Sequence, residues 1–307
     1  MARSIDVIGV PFDLGGEKSG VDSGPAALVS SGFLDKLRFS GHGVSYKDLS
    51  QISESAHCFT STDPPCGKVK YAKEAAGVLS LLAARTFASL RVGHTPIILG
   101  GDHSIAIGSV GAALTPELLP GRVGLVWIDA HYDAHTARTT SSGHVNGMPL
   151  ATLLGRGAGV LRHPISHRKI RPEHVLHVGA GKADCEPEEV ALFAKLRIPC
   201  FTQEHLRSGG WHPVYQALSA LARSVDHIWV SFDLDAVNYR WAPGVAFPNK
   251  AGLDRNSVYW FAERLALTGK ICGADIVEHT SAREEYDANG QPKTATLAAE
   301  FAKRLFR

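Results

Sequence analysis

Short apolar runs alternate with longer stretches of helical periodicity along the chain. Segments 5–10, 96–99, 123–128, 174–178, 198–201, 228–232 and 274–277 predict strands. Several of them, such as VGLVWI and HIWVSF, are unbroken runs of apolar and β-branched residues, the pattern of central strands buried on both faces. Between them, segments 25–37, 68–91, 104–114, 147–155, 186–196, 212–224, 256–268 and 294–306 predict helices. Ser23-Gly24-Pro25 supplies a helix start, with proline near the first helical position. The alternation implies an α/β fold: a mostly parallel central sheet covered by helices on both faces, in three α/β/α layers.

No internal repeat or low-complexity tract interrupts this order. Residues 51–67 (QISESAHCFTSTDPPCG) are polar and rich in turn formers and predict a surface loop, as do 136–146 and 278–293. No shift of composition follows the first of these, so a single domain spanning 1–307 is expected.

Composition narrows the function classes. Basic and acidic residues number 32 and 30, a balance that calls for neither nucleic acid nor an anionic membrane as partner. The longest apolar stretches, around ten residues, are too short to span a bilayer. Asp6 and Pro11 interrupt the first apolar run, against a signal peptide. The five cysteines are odd in number and form no CxxC pair, which argues against a disulfide framework or thiolate zinc site and for a reducing, cytoplasmic setting. Histidine is abundant, at 15, and points instead to nitrogen and oxygen ligation.

Three polar clusters each begin where a predicted strand ends. IILGGDHS carries Asp102 and His103; WIDAHYDAH carries Asp129, His131, Asp133 and His135; VSFDLDAV carries Asp233 and Asp235. Ligand sites of open α/β sheets form at the carboxyl ends of strands. Residues two apart in extended chain point to one side, so Asp129, His131 and Asp133 can converge, as can Asp233 and Asp235. So many carboxylates in one pocket repel one another unless cations neutralise them. Four carboxylates with two imidazoles suit Mn²⁺, with Zn²⁺, Fe²⁺, Co²⁺ and Ni²⁺ as alternatives. Two such ions about 3.5–4 Å apart lower the pKa of a shared water enough to make a nucleophile near neutrality. The first three members of its segment already use the convergent face, so His135 reads as a non-ligand, and Asp102 reads as a helix cap or as a carboxylate orienting a ligating imidazole.

In this order GGDHS, DAHxD, SxDxD and DIVE resemble the ureohydrolases, the family of arginase, agmatinase, guanidinobutyrase and formiminoglutamase. The likeness runs from GVPFDLGGEKSGVDSGP to the terminal helix and is closest to the arginase-like members. It implies an arginase-like fold and two Mn²⁺ held by His103, Asp129, His131, Asp133, Asp233 and Asp235. One ion would take His103, Asp129, Asp133 and Asp233, the other Asp129, His131, Asp233 and Asp235. It further implies a trimer or hexamer. Glu278 matches the acid that holds the substrate guanidinium, and a carboxylate can accept two N–H bonds from that planar cation. TTSSGHVNGMPLATLLG matches the segment in which Ser142, with Thr140 nearby, reads the substrate carboxylate. Asp184 falls near an aspartate placed by the substrate amino group; a helix-capping role is the alternative.

The departures bear on the substrate. Asn146 stands where arginases and agmatinases carry a histidine that moves a proton or contacts substrate, and asparagine cannot titrate. His144 is the neighbouring imidazole. His135 replaces an asparagine that contacts the α-carboxylate, Asn238-Tyr239 replaces a DP pair, and HTS follows Glu278 in place of NP. The expected activity is cleavage of the guanidino C–N bond of an arginine-like amino acid, arginine or N-hydroxyarginine, by the catalytic set Asp133, Glu278 and Asn146. A less basic leaving nitrogen needs a proton shuttle less, which brings in the N-hydroxyguanidine. The alternatives are an agmatine-, guanidinobutyrate- or formiminoglutamate-type substrate, or a catalytically silent subunit. A nucleotide-binding α/β protein is disfavoured, since neither GxGxxG nor GxxxxGK[ST] occurs.

Overall fold

Unbroken apolar runs fold into strands because both faces of each can be buried. A computed structural model describes residues 2–50, 68–162, 169–181 and 185–307. The predicted loop at 51–67, Cys58, Cys66 and Asp184 lie outside the described residues. The strands are β1 (Ser4–Val10), β2 (Gly43–Asp48), β3 (Thr95–Gly100), β4 (Val123–Ile128), β5 (Val175–Val178), β6 (Cys200–Phe201), β7 (His227–Asp233) and β8 (Ile271–Val277). They form one sheet in the order β2-β1-β3-β8-β7-β4-β5-β6, with every pairing between them parallel.

The helices are α1 (Gly24–Ser30), α2 (Phe33–Arg38), α3 (Ala72–Arg91), α4 (Ala106–Ala113), α5 (Pro149–Leu153), α6 (Gly159–Arg162), α7 (Pro187–Leu196), α8 (Gln203–Gly209), α9 (His212–Ser224), α10 (Arg255–Ala266) and α11 (Lys293–Leu305). Three expectations are corrected. The helix expected at 25–37 is two, broken where Gly32 adopts φ +85°. The helix expected from 68 starts at Ala72, because Tyr71 is left-handed. His174 closes a short 3₁₀ turn rather than opening β5. The sequence pattern predicts neither strand β2 nor helices α6 and α8. Strand β2 is an edge strand exposed along much of its length, and α8 is short and polar.

Alternation sorts the strand side chains into two cores. Val7, Leu99, Ile128, Phe232 and Ile276 pack against Leu28 of α1, Leu37 of α2, Leu218 of α9, Phe261 of α10 and Phe301 of α11. Ile8, Ile98, Leu125, Trp127 and Trp229 pack with Leu79 of α3, Ile107 of α4, Leu153 of α5 and Phe193 of α7. Both faces are therefore covered, which is why the central strands carry no polar alternation.

Strands β7 and β8 come last in the chain yet lie between β3 and β4. The carboxyl ends of β3, β8, β7 and β4 are thus neighbours, and the loops that leave them converge. At the end of β3 the backbone passes hard against Phe12, where a Cβ on Gly101 would lie 1.8 Å from the Phe12 carbonyl oxygen. Only glycine fits, and this contact aims Asp102 and His103 at the convergence point. No helix among the described residues is long and apolar enough to cross a membrane.

Candidate metal centre

The four adjacent strand ends bring six predicted residues together. His103 follows β3; Asp129, His131 and Asp133 follow β4; Asp233 ends β7, with Asp235 in the turn beyond it. The Nδ1 atom of His103 lies 3.0 Å from Asp129 Oδ2 and 3.2 Å from both Asp133 Oδ2 and Asp233 Oδ2. The Nδ1 atom of His131 lies 3.4 Å from Asp129 Oδ1 and 3.2 Å from Asp235 Oδ2. Asp129 therefore faces both imidazoles with its two oxygens. Donor atoms of His103, Asp129 and Asp233 fall within 4.8 Å of one another, and so do those of Asp129, His131 and Asp235.

The donor set fits cations. His103 Nδ1 and Asp235 Oδ1 are buried without a hydrogen-bond partner, and buried polar atoms of this kind call for one. Asp129 is fully buried, and Asp233 and Asp235 nearly so. Burial, with the charge of Asp129, pushes Asp133 up to about 8. Burial and the charges of Asp235 and Asp129 push Asp233 well above the carboxylate range. Burial opposes the charged form of His103, but the carboxylates of Asp129, Asp133 and Asp233 around its ring prevail and raise it well above its ordinary value. Protons thus hold together a cluster whose charge a pair of divalent ions would neutralise without them.

Buried partners orient the imidazole. His103 Nε2 lies 2.9 Å from Ser231 Oγ, which donates to Asp275 Oδ2 at 3.2 Å. Trp229 Nε1 donates to the same Asp275 oxygen at 2.9 Å. Trp127 stacks flat on the His103 ring, centroids 4.0 Å apart, and its Nε1 donates to Asp129 Oδ2 at 2.9 Å. A ligating imidazole held at its second nitrogen keeps one tautomer and one orientation. Ser231 and Asp275 were missed in the sequence. The signal was there: Ser231 shares the two-residue alternation of Asp233 and Asp235, and Asp275 interrupts the apolar run of β8 opposite it.

Asp102, fully buried, accepts from the backbone N–H of Gly15 and of Ser104, at 2.9 and 3.0 Å, and from the Ser104 hydroxyl. It caps the turn carrying His103 and pins the 13–16 loop to the site. Asp133 and Glu278 both have left-handed backbones, with φ +51° and +66°, a strained setting for side chains with a Cβ. Glu278 follows β8, and its Oε1 accepts the His103 N–H at 2.9 Å. Burial, then the charges of Asp102 and Asp235, raise its pKa well above normal.

A cavity of about 210 Å³ opens above this cluster. Asn146, His135, Ser142 and His144 line it together with Glu278. His144 is approached by Lys70, whose Nζ lies 3.2 Å from its Nε2, and burial with that charge lowers its pKa. His135 is buried between two carboxylates, 3.4 Å from Glu189 and 3.6 Å from Glu186. Glu189 also accepts the Ala134 N–H at 2.9 Å, which ties helix α7 to the ligand loop. Thr140 does not line the cavity; its hydroxyl accepts the Gly143 N–H at 2.8 Å and closes the turn that carries Ser142. Glu17, Glu186, Glu189 and Phe247 also line the cavity, and the sequence singled out none of them.

A family model described as the arginase family matches residues 3–307. The chain is similar to an arginase of Bacillus caldovelox, 33% identical over 310 residues that cover 99% of each protein. It is similar to an arginase of Brevibacillus brevis, 30% identical, covering 99% of this chain and 100% of the relative. Its structure is similar to that of the Bacillus caldovelox arginase, with a TM-score of 0.88 and 30% identity over 99% of this chain and 98% of the other.

Proposed function

The chain belongs to the arginase family, hydrolases of C–N bonds in linear amidines, and we propose on that premise that it cleaves the guanidino group of an arginine-like amino acid, giving urea or a substituted urea and an amine. The observation that carries this reading is Asp129, which offers one oxygen to each of two donor groups. His103, Asp129, Asp133 and Asp233 would hold one ion, and Asp129, His131, Asp233 and Asp235 the other, with Mn²⁺ the choice of an oxygen-rich set that includes two imidazoles. Two ions bound there supply charge that lowers the pKa of water and polarises the amidine.

The remaining steps belong to the chain's own residues. Glu278 receives the guanidinium: burial disfavours its lone negative charge, and a cation alongside restores the carboxylate. Asp133 accepts a proton from the attacking water and passes it to the leaving nitrogen. Ser142 and His135 read the amino-acid end, and Thr140 acts through the turn it closes; by family resemblance alone, Asp184, outside the described residues, would meet the substrate amino group. Asn146 favours a second substrate, N-hydroxyarginine, because it lines the cavity but carries no proton to give. A homo-oligomer (trimer or hexamer), a cytoplasmic setting and a single domain over 1–307 complete the proposal. They rest on family resemblance, on the odd cysteine count and on the one continuous sheet.

The test is a screen of the Mn²⁺-loaded protein against arginine, N-hydroxyarginine, agmatine, guanidinobutyrate and formiminoglutamate. The proposal expects turnover of the first two. Turnover confined to substrates lacking an α-amino acid end refutes the arginine-like choice. Two bound ions with no turnover of any amidine support the silent subunit.

A further inference from the structure

Among the described residues lining the cavity, Phe247 is the one hydrocarbon side chain; the others are carboxylates, imidazoles, Ser142, Asn146 and Gly147. Its ring meets His131 edge-on, centroids 6.2 Å apart at 74°. The loop that bears it is tied to the segment after Glu278: Val245 bridges to His279, and Thr280 N–H donates to the Gly244 carbonyl at 2.8 Å. The ring and the Glu278 carboxylate therefore keep a fixed spacing. Lys18 reaches over the ring, its Nζ 3.8 Å from the centroid, and donates to the Ala246 carbonyl at 3.3 Å.

That ammonium decides what the ring can contact. The negative face of an aromatic ring attracts a cation, and Lys18 already uses this attraction. A guanidinium stacked on the opposite face would meet a second positive charge across a single ring, with Glu278 offering it a far better partner. A methylene chain meets no such penalty and gains by leaving water. We infer that Phe247 is a specificity-determining residue: it packs against the hydrocarbon linker between the guanidinium and the polar far end of the substrate, so that the site selects linear guanidines with several methylenes. This rests on the guanidine-hydrolase reading above.

The experiment uses the full chain loaded with Mn²⁺. Calorimetry measures binding of methyl-, ethyl-, propyl- and butylguanidine, and turnover is followed on ω-guanidino acids of growing chain length. Affinity is expected to rise about fourfold per added methylene. In Phe247→Ala each step falls below about twofold, and in Phe247→Leu, which keeps a hydrocarbon wall, most of the step remains. Turnover with full steps retained in Phe247→Ala overturns the inference and leaves the hydrolase reading intact. Full steps in the parent, lost in Phe247→Ala, with no turnover of any guanidine do the reverse. Neither binding nor turnover overturns both.

Discussion

The floor of the cavity and its mouth are built in different ways. On the floor, His103, Asp129, Asp133, Asp233 and Asp235 lie within a few residues of buried strands, and their donor atoms crowd into hydrogen-bonding distance. At the mouth, Ser142, His144 and Asn146 hang from one loop, Phe247 comes from another, and Glu186 and Glu189 stand at the start of α7. A parallel sheet fixes where a strand end points to within a fraction of a residue spacing. A loop fixes it only through tethers such as Glu189 to Ala134 or Thr140 to Gly143. The contrast implies that the chemistry resides in the floor, which tolerates no change, while the mouth sets the substrate and tolerates graded change.

Substitutions can break or sharpen that contrast. The largest effect is expected at the boundary. Glu278→Gln should lower kcat/KM by roughly 10²–10³, the scale of losing one charge-matched contact at a reacting group, while bound metal is unchanged. Metal lost in parallel would make Glu278 part of the floor. Asn146→His should act by degree: it adds an ionisation near pH 6–7 to the rate profile and raises turnover of arginine relative to N-hydroxyarginine by roughly tenfold or more. A profile identical to that of the parent protein would mean that position 146 takes no part in proton movement.

The smallest effect lies in the footing of the mouth. Glu284 accepts the Thr294 and Ala295 N–H groups at the start of α11, each at 3.0 Å, and pairs with His279 at 3.0 Å. Burial alone would raise its pKa, but the bonds from His279, Thr294 and Ala295 prevail and lower it. A carboxyl lowered on folding adds stability above its unfolded pKa and loses it as pH falls through the folded value. Glu284→Gln should therefore cost about 1–3 kcal/mol in denaturant titrations at pH 7, and the gap should close in acid. A gap that persists at low pH would show that shape, not charge, matters there.

The same contrast explains what could be read in advance. The runs VGLVWI and HIWVSF are legible because a strand buried on both faces admits few polar residues, and the ligands are legible because they follow such runs. Strand β2, GVSYKD, is not, since an edge strand half in water carries no such constraint. Asp275 was hidden although its burial is complete, because a single acid inside ICGADIV has meaning only beside Ser231 on the next strand. Phe247 was hidden because loop aromatics are common, and its place over the cavity follows from the bridge between Val245 and His279.

Metal stoichiometry is the most direct test of the shared centre. After loading with Mn²⁺ and dialysis, the protein should retain two ions per chain, and Asp129→Ala, which removes the carboxylate common to both groups, should lose both along with activity. A single ion in the parent protein, or two ions kept by Asp129→Ala, would contradict a binuclear site bridged by Asp129.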